Sequence, residues 1–507
     1  MKDMPLAVDR ILLAIQKKER ILLYGDYDAD GTTAVALLHE YLSQHTPNLI
    51  YYLPDRYKEG YGISFEGVDF AYQQQATVLI ALDCGITAQA AVRAANYYGI
   101  DCIICDHHLP EAELPEAHAI LNPKQADCTY PYKELSGCGV AFKLAQGIQQ
   151  QLNRPFDNLV PLLDFLAISI AADIVNVMGE NRVLLHFGLE QLNVSERPGI
   201  QAILQHKSLR IPLRVRDVVF GIAPLINAAG RLADAAQAVR LLLAKTDHEA
   251  QDALRALHLR NEMRKEYEQR ILQEAETMLE ADVKLEERAV IVLYQKHWHK
   301  GVLGIVASKL VEQYHRPVLL LAESDGKLSG SARSVQHIDI HAALSECTNV
   351  LTNFGGHRHA AGVQLETHQL FFLESRLEIA IRQQMEVSAL PILEYVGELK
   401  LQALSFAFYN LIQEFAPFGP GNRSPLFISR GVVADKSSRV LKGKHLKMWL
   451  KQDQSATVGG IGFGLADHYE AIVDGQPFEI CYKVEINNWK EKQYLQIVAK
   501  SIKPSAT

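Results

Sequence analysis

Asp26, Asp28 and Asp30 stand at every second position of LLYGDYDADGTT, directly after an apolar run. Like charges gathered so closely are costly unless a cation neutralises them. Taken alone, the pattern slightly favours a solvated loop over a metal site. Asp83 in ALDCG, the Asp106-His107-His108 triplet and Asp173 in AADIV also follow hydrophobic runs, and together they favour a metal site. Carboxylates and imidazoles without thiolates suit Mn2+ or Mg2+ better than a cysteine-rich zinc site. Enough ligands are present for two ions, which at ~3.5–4 Å apart would share a bridging carboxylate and serve both the attacking and leaving oxygens of a phosphoester.

Other clusters carry weaker signals. Cys102-Ile-Ile-Cys105 has zinc spacing, but residues three apart on a strand point to opposite faces and no second pair follows, so buried strand cysteines are expected. Gly355-Gly356-His357-Arg358-His359 alone reads as a flexible turn. With Ser331-Ala332-Arg333-Ser334 in the same region, hydroxyl and guanidinium groups suited to phosphate oxygens come together. Between Asp435 and Asp453, Lys436, Arg439, Lys442, Lys444, Lys447 and Lys451 surround Trp449. A solvated barrel face and a single-strand groove both account for that segment.

Parallel strands are the natural carriers of the acids. ERILLYGDYD, NLIYYLP, ATVLIALDCG and IDCIICDHH are β-rich, and TTAVALLHEYLSQ and TAQAAVRAANYYG are helical in pattern. Such alternation predicts a parallel sheet covered on both faces, with ligands outside the carboxyl ends of the strands. A fourth apolar stretch, LLDFLAISIAADIVNV, brings Asp173 to the same edge. From Asp247 to about Asp282 the spacing predicts one long helix, N-capped by Asp247 with Glu249 in its first turn. A second α/β unit begins at AVIVLY, continues through the helix GIVASKLVEQY, the strand PVLLLAE and the turn-rich DGKLSGSARS, and closes with TNFGGHRHAAGVQL. After about residue 395, APFGPGNRSP leads into five β-like segments, for which the five-stranded OB-fold is the candidate.

The chain has 507 residues, 48% hydrophobic and 22% charged, as expected of a soluble globular protein with three or so domains. A net charge of −8 gives no global basic signature, so any nucleic-acid contact must come from local patches. No stretch approaches ~18 uninterrupted apolar residues, so no membrane span and a cytoplasmic location are expected. The seven cysteines follow no regular spacing and are read as reduced thiols.

These motifs together resemble the DHH phosphoesterase superfamily, and within it the RecJ family of single-strand-specific exonucleases. GDYDADG, LDCGIT, CDHH and AADIVNV correspond in order to the superfamily's motifs. LPDRYKEGYG, INAAGRL, WHKGVLGIVAS, SGSARS, FGGHRHAAG and APFGPGN resemble RecJ signatures. The resemblance implies a parallel-sheet α/β catalytic lobe over 1–231, a connector with a long helix over 232–284, a second α/β lobe of DHHA1 type over 285–388 and an OB-like β-barrel over 389–507. Carried over by motif, Asp26, Asp28 and Asp83 would hold one metal and Asp30, Asp83, His107 and Asp173 the other, with His108 facing the scissile phosphate. Arg56, Arg231, Ser331 and Arg333 match positions around a terminal 5′-phosphate, and Gly356 and His357 belong to the substrate-contacting GGH motif. Two departures stand out: only about twenty residues precede the first motif strand, and Cys84 stands where the family often has Asn. Reduced N-terminal support and looser backing of Asp83 are expected from them.

The resulting expectation is a two-metal, Mn2+- or Mg2+-dependent 5′→3′ exonuclease that releases mononucleotides from single-stranded DNA in repair and recombination. Single-strand-binding protein or a helicase are its candidate partners, and a monomer is expected. The rivals are a DHH-type phosphodiesterase of short oligonucleotides or cyclic dinucleotides, and a single-strand-binding scaffold with a decayed site.

Overall fold

The computed structural model describes residues 1–56, 58–231, 235–324, 326–387, 393–453, 455–489 and 492–504. The expected domain boundaries at 231/232 and 388/389, and Leu232 of INAAGRL, Tyr57 of LPDRYKEGYG and Asp325 of DGKLSGSARS, touch positions outside those residues. The chain is mixed α/β and divides into two compact units, Met1–Asp173 with Glu190–Pro391, and Ile174–Leu189 with Ile392–Thr507.

In the first unit, β1 (Arg20–Gly25), β2 (Leu49–Tyr52), β3 (Ala76–Leu82), β4 (Asp101–Cys105) and β5 (Ala119–Leu121) form a sheet in the order β2-β1-β3-β4-β5. All its pairings are parallel. Ile21 to Tyr24 and Val78 to Leu82 are fully buried, as continuous apolar runs covered on both faces should be. The register sets Gly25 beside Leu82 and Leu82 beside Cys105, so the next residues, Asp26, Asp83 and Asp106, emerge together at one edge. Their amides extend the ladder, Asp26 donating to Leu82, Asp83 to Cys105 and Asp106 to Leu121.

Helices α1 (Met4–Lys17), α2 (Ala29–Ser43), α3 (Phe65–Gln73), α4 (Gln89–Tyr97) and α5 (Gly137–Gln151) cover this sheet, and α6 (Leu163–Ala172) packs on α2 and α5. The expected helix over TTAVALLHEYLSQ starts three residues earlier, because Asp28 accepts from the amides of Asp30 and Gly31 and caps α2. The fourth apolar stretch is a helix, α6, with Asp173 at its C-cap. Its residues are buried almost throughout, which removes the amphipathic period that would distinguish it from a buried strand.

After α7 (Ala223–Arg231) comes α8 (Asp247–Glu280), whose cap is Thr246 rather than Asp247. Thr246 accepts from Glu249 N, and the Glu249 carboxylate accepts from Thr246 N, a capping box. The start of α8 packs on α7, and Ile271, Ala275 and Leu279 near its end join the core of α9 (Lys300–Tyr314). There β6 (Ile291–Tyr294), β7 (Val318–Ser324), β8 (Lys327–Arg333), β9 (Asn353–His357) and β10 (Ala360–Leu365) form a second sheet in the order β6-β7-β8-β10-β9. The segment expected to be turn-rich is thus the central strand β8. Pairing on both sides, with Ser331 opposite Leu320 and Gly362, overrides its Gly/Ser composition.

In the second unit, β11 (Gly397–Glu398) to β17 (Lys492–Pro504) form one sheet, with β12 (Phe427–Ala434), β13 (Arg439–Leu441), β14 (His445–Lys451), β15 (Val458–Gly462) and β16 (Phe478–Trp489) between them. β12 also pairs with β14, closing the ring β12-β16-β17-β15-β14. These are the five strands expected for the barrel, and the short β11 and β13 flank them as additions. Arg439 and Lys447 lie over the Trp449 ring, 5.5 and 5.7 Å from its centroid.

Candidate active site

The edge where β1, β3 and β4 end gathers all the expected acids and both histidines. Ligand atoms of Asp26, Asp28 and Asp83 lie within 4.8 Å of one another, as do those of Asp30, His107 and Asp173, and of Asp83, His107 and His108. His107 Nε2 is 3.2 Å from Asp83 Oδ1, 3.6 Å from Asp173 Oδ2 and 3.8 Å from Asp30 Oδ2. Asp83 belongs to two of these groups and adopts the left-handed backbone at φ 64°, a strain typical of functional positions. A Cβ on Gly137 would stand 2.4 Å from Asp83 Oδ1, so only glycine lets α5 start against that carboxylate. Cys84, where a polar residue was noted as frequent, is buried among Ile63, Leu79 and Ile104 and acts as core.

The electrostatics are those of crowded, buried carboxylates. Burial and the neighbouring Asp28 push the Asp26 carboxyl well above the usual range, and burial with Asp30 and Asp28 does the same to Asp83. Asp28 is raised by burial and Asp30, and Asp173 is pushed up to about 9 by burial, Asp30 and Asp28. Asp26 Oδ1 and Asp83 Oδ1 are buried with no hydrogen-bond partner. Orphaned carboxylate oxygens at the convergence of oxygen and nitrogen donors fit hard divalent cations such as Mn2+ or Mg2+.

Asp106 plays a different part from its neighbours. Its Oδ1 accepts from the amides of His107 and His108 and lies 2.7 Å from His108 Nδ1, while Oδ2 accepts from Ile86 N. Burial, the largest single effect, would raise it, but the His108 hydrogen bond, the charges of both histidines and the Ile86 amide together outweigh burial and hold Asp106 at about 2. Burial would lower His108, but the Asp106 hydrogen bond together with the charges of Asp106, Asp173 and Asp26 overcomes it and holds His108 at about 9, whereas burial lowers His107.

The cavity over this centre is lined by Asp26, Asp28, Asp83, His108, Arg56 and Arg231, among others. A second cavity shares Arg56 and Arg231 with it and adds Ser331, Arg333, Gly356 and Lys300. Arg56 lies over the Tyr27 ring at 4.9 Å, Arg231 donates to Gly301 O, and Arg333 donates to Ser331 Oγ at 2.9 Å. A Cβ on Gly304 of α9 would meet the Arg333 guanidinium at 2.6 Å, so that glycine makes room for it. Burial, then the neighbouring Arg56 charge, lowers the Arg333 pKa. Of the expected substrate residues, only His357 is outside the lining of both cavities; it lies at the exposed end of β9.

Several contacts were not visible in the sequence pattern. Tyr61 Oη donates to the carbonyl of Asp83 at 3.2 Å and lies 2.9 Å from His108 Nδ1. Asn227 Oδ1 accepts from Ala29 N at 2.7 Å, fixing the start of α2 from the start of the INAAGRL segment. Lys300, at the first turn of α9, adds a cation to the second cavity. The Gly-Tyr-Gly and Ile-Asn contexts were the available signals for the first two.

Residues 20–170 match the model of the DHH family N-terminal domain, 287–383 that of the DHHA1 domain and 396–501 that of the RecJ OB domain. The single-stranded-DNA-specific exonuclease RecJ of Bacillus subtilis is 36% identical over 508 residues, with 99% of this chain and 63% of that protein covered. RecJ of Escherichia coli K12 is 34% identical, with 98% and 90% covered. The chain therefore spans less than two thirds of the Bacillus relative but most of the Escherichia one. Thermus thermophilus RecJ in complex with Mn2+ superposes with a TM-score of 0.85 at 28% identity, covering 100% of this chain and 72% of the other. The same protein with Mg2+ gives a TM-score of 0.79 at 26% identity, covering 100% and 71%. With the acidic centre, the second α/β lobe and the closed barrel all accounted for, the chain belongs to the RecJ family of the DHH proteins.

Proposed function

We propose that this chain is a Mn2+- or Mg2+-dependent exonuclease that hydrolyses phosphodiester bonds of single-stranded DNA from the 5′ end and releases mononucleotides, in DNA repair and recombination. The observation that carries this reading is the sharing of Arg56 and Arg231 by the acidic cavity and the basic one. A terminal phosphate held by Arg56, Arg231, Ser331 and Arg333 would lie at a fixed distance from the acids, so that cleavage counts from the end. Bidentate guanidinium groups suit that phosphate. Gly356 leaves backbone room in the same cavity, and His357 would meet the strand further along.

Asp26, Asp28 and Asp83 would hold one divalent cation, and Asp30, Asp83, His107 and Asp173 the other. When bound, the pair would neutralise the charge of the phosphoester and activate water for its hydrolysis. The chain's own residues do the rest. Asp83, in both ligand sets, fixes the spacing of the two sites. His108, kept protonated by Asp106, would give a proton to the departing 3′ oxygen as water adds to phosphorus. The barrel would guide the strand with Arg439, Lys447 and Trp449.

The division into a catalytic domain (1–231), connector (232–284), substrate domain (285–388) and OB domain (389–507) is part of this proposal, with single-strand-binding protein or a helicase as partners. A monomer is part of the same proposal. A cytoplasmic site of action follows from the DNA substrate, and no helix among the described residues is long and apolar enough to cross a membrane.

The test is end-labelled single-stranded DNA incubated with purified protein and Mn2+. Loss of 5′-terminal mononucleotides, abolished in Asp83→Ala, is expected; intact 5′-phosphorylated strands would overturn the proposal. Faster turnover of a dinucleotide than of a long strand would point instead to an oligonucleotide phosphodiesterase.

A further inference from the structure

Asp30 is held unlike any other acid of the centre. Gly137 N donates to its Oδ2 at 2.7 Å, and Cys138 N and Ser169 Oγ donate to its Oδ1 at 2.8 and 2.7 Å. The two amides open the 15-residue helix α5, whose positive end faces the carboxylate.

The hydroxyls behind it form a chain with only one consistent direction. Ser169 Oγ spends its one proton on Asp30 Oδ1. Ser136 Oγ lies 2.6 Å from Ser169 Oγ and therefore donates to it, and Ser136 in turn accepts from Gly139 N. Ser136 and Ser169 are fully buried and Asp30 is 1% exposed, so no solvent replaces a lost link. Ser169 is the single hydroxyl in the apolar run LLDFLAISIAA, where packing alone would take another aliphatic side chain.

Ser169 also sits one helical turn before Asp173, whose amide donates to its carbonyl at 2.9 Å. One face of α6 thus supplies both a ligand candidate and the clamp on another. Asp30 and Asp173 share a ligand group with His107, and Asp30 is absent from the group of Asp26, Asp28 and Asp83.

We infer that Ser169, backed by Ser136, is a positioning residue for one cation site alone, that of Asp30, His107 and Asp173. The inference rests on the two-cation reading above. By fixing the rotation of the Asp30 carboxylate, Ser169 aims Oδ2 toward His107 and leaves the Asp26–Asp28–Asp83 site untouched. Groups behind a ligand typically change metal affinity ~10–100-fold.

The experiment is a Mn2+ titration of the full chain, followed by the electron paramagnetic resonance signal of the free ion, for wild type and Ser169→Ala. Two ions per chain are expected for wild type; fewer would defeat the two-cation reading itself. In Ser169→Ala one binding step should weaken about tenfold while the other stays within about twofold. Two unchanged steps, or two steps weakened equally, overturn the role of Ser169. Circular dichroism of the metal-free variant checks its fold. Should Ser169→Ala not fold, Ser136→Gly, which keeps a tolerated helix cap, should weaken the same single step by about threefold, and no change there overturns the inference.

Discussion

Asp106 Oδ1 stands 2.7 Å from His108 Nδ1 while accepting from the amides of both histidines, and among the described residues Asp106 belongs to none of the groups that could hold a metal ion. Asp106→Asn keeps the shape but removes the charge that holds His108 protonated. The expected outcome is a fall in kcat of about 10²-fold with Mn2+ content retained. Because His108 stands at about 9 with Asp106 ionised, its loss should also move the alkaline limit of the rate profile to lower pH. A pH–rate profile of the variant beside the wild type checks both; an unmoved alkaline limit would remove His108 from the proton-transfer role.

Metal-free protein should lose stability as pH rises. Asp26, Asp28, Asp83 and Asp173 all have folded pKa values above the ordinary carboxylate value, Asp173 at about 9. The folded state therefore binds more protons than the unfolded chain between about pH 4 and 9, and this contribution is complete below that window and gone above it. In EDTA, Tm should fall from pH 5 to pH 9. With Mn2+, which replaces the protons, the decline should flatten, so the gain in Tm on adding metal grows with pH. Calorimetric scans across that range decide it; a metal-dependent gain that shrinks with pH would contradict the assignment.

Arg333 is partly buried beside Ser331, with Arg56 as its cationic neighbour. If Arg333 holds the terminal phosphate as proposed, its replacement by alanine should cost a charge-assisted contact on the order of 1.5–3 kcal/mol. Preference for 5′-phosphorylated over 5′-hydroxyl strands should drop by about tenfold or more, with Mn2+ binding unaffected. Competition between the two labelled substrates measures this, and an unchanged preference would place the terminal phosphate elsewhere.

The acids of the parallel sheet were legible because apolar runs announce buried strands and ligands gather at their carboxyl ends; Asp26, Asp83 and Asp106 are neighbours by register alone. Asp173 was found as a residue but not as the end of a helix, since α6 is buried almost throughout and shows no period. Arg333 was legible as a phosphate-binding candidate beside the hydroxyls of Ser331 and Ser334, whereas Arg56 and Arg231 came from motif resemblance, as no local spacing ties an arginine of α7 to one of β8. Ser169 and Tyr61 escaped notice for a related reason: their value lies in contacts to Asp30, 139 positions away, and to His108, 47 positions away. The Gly/Ser-rich β8 was misread because its pairing with β7 and β10 is decided by the sheet rather than by its own composition.

Gly137→Ala offers a contrast with the Ser169 variant. In a helix this exchange ordinarily stabilises by about 0.5–1 kcal/mol. Here the new methyl would stand 2.4 Å from Asp83 Oδ1 and 2.5 Å from Asp83 Cβ, so the carboxylate common to two ligand groups must move. Asp83 has little freedom to yield, with its backbone left-handed and its carbonyl bound by Tyr61. Both Mn2+ binding steps should therefore weaken, each by about tenfold or more, while the metal-free protein keeps its secondary structure. Titration of Mn2+ into Gly137→Ala measures this; one step left at wild-type affinity would mean that Asp83 does not serve both sites.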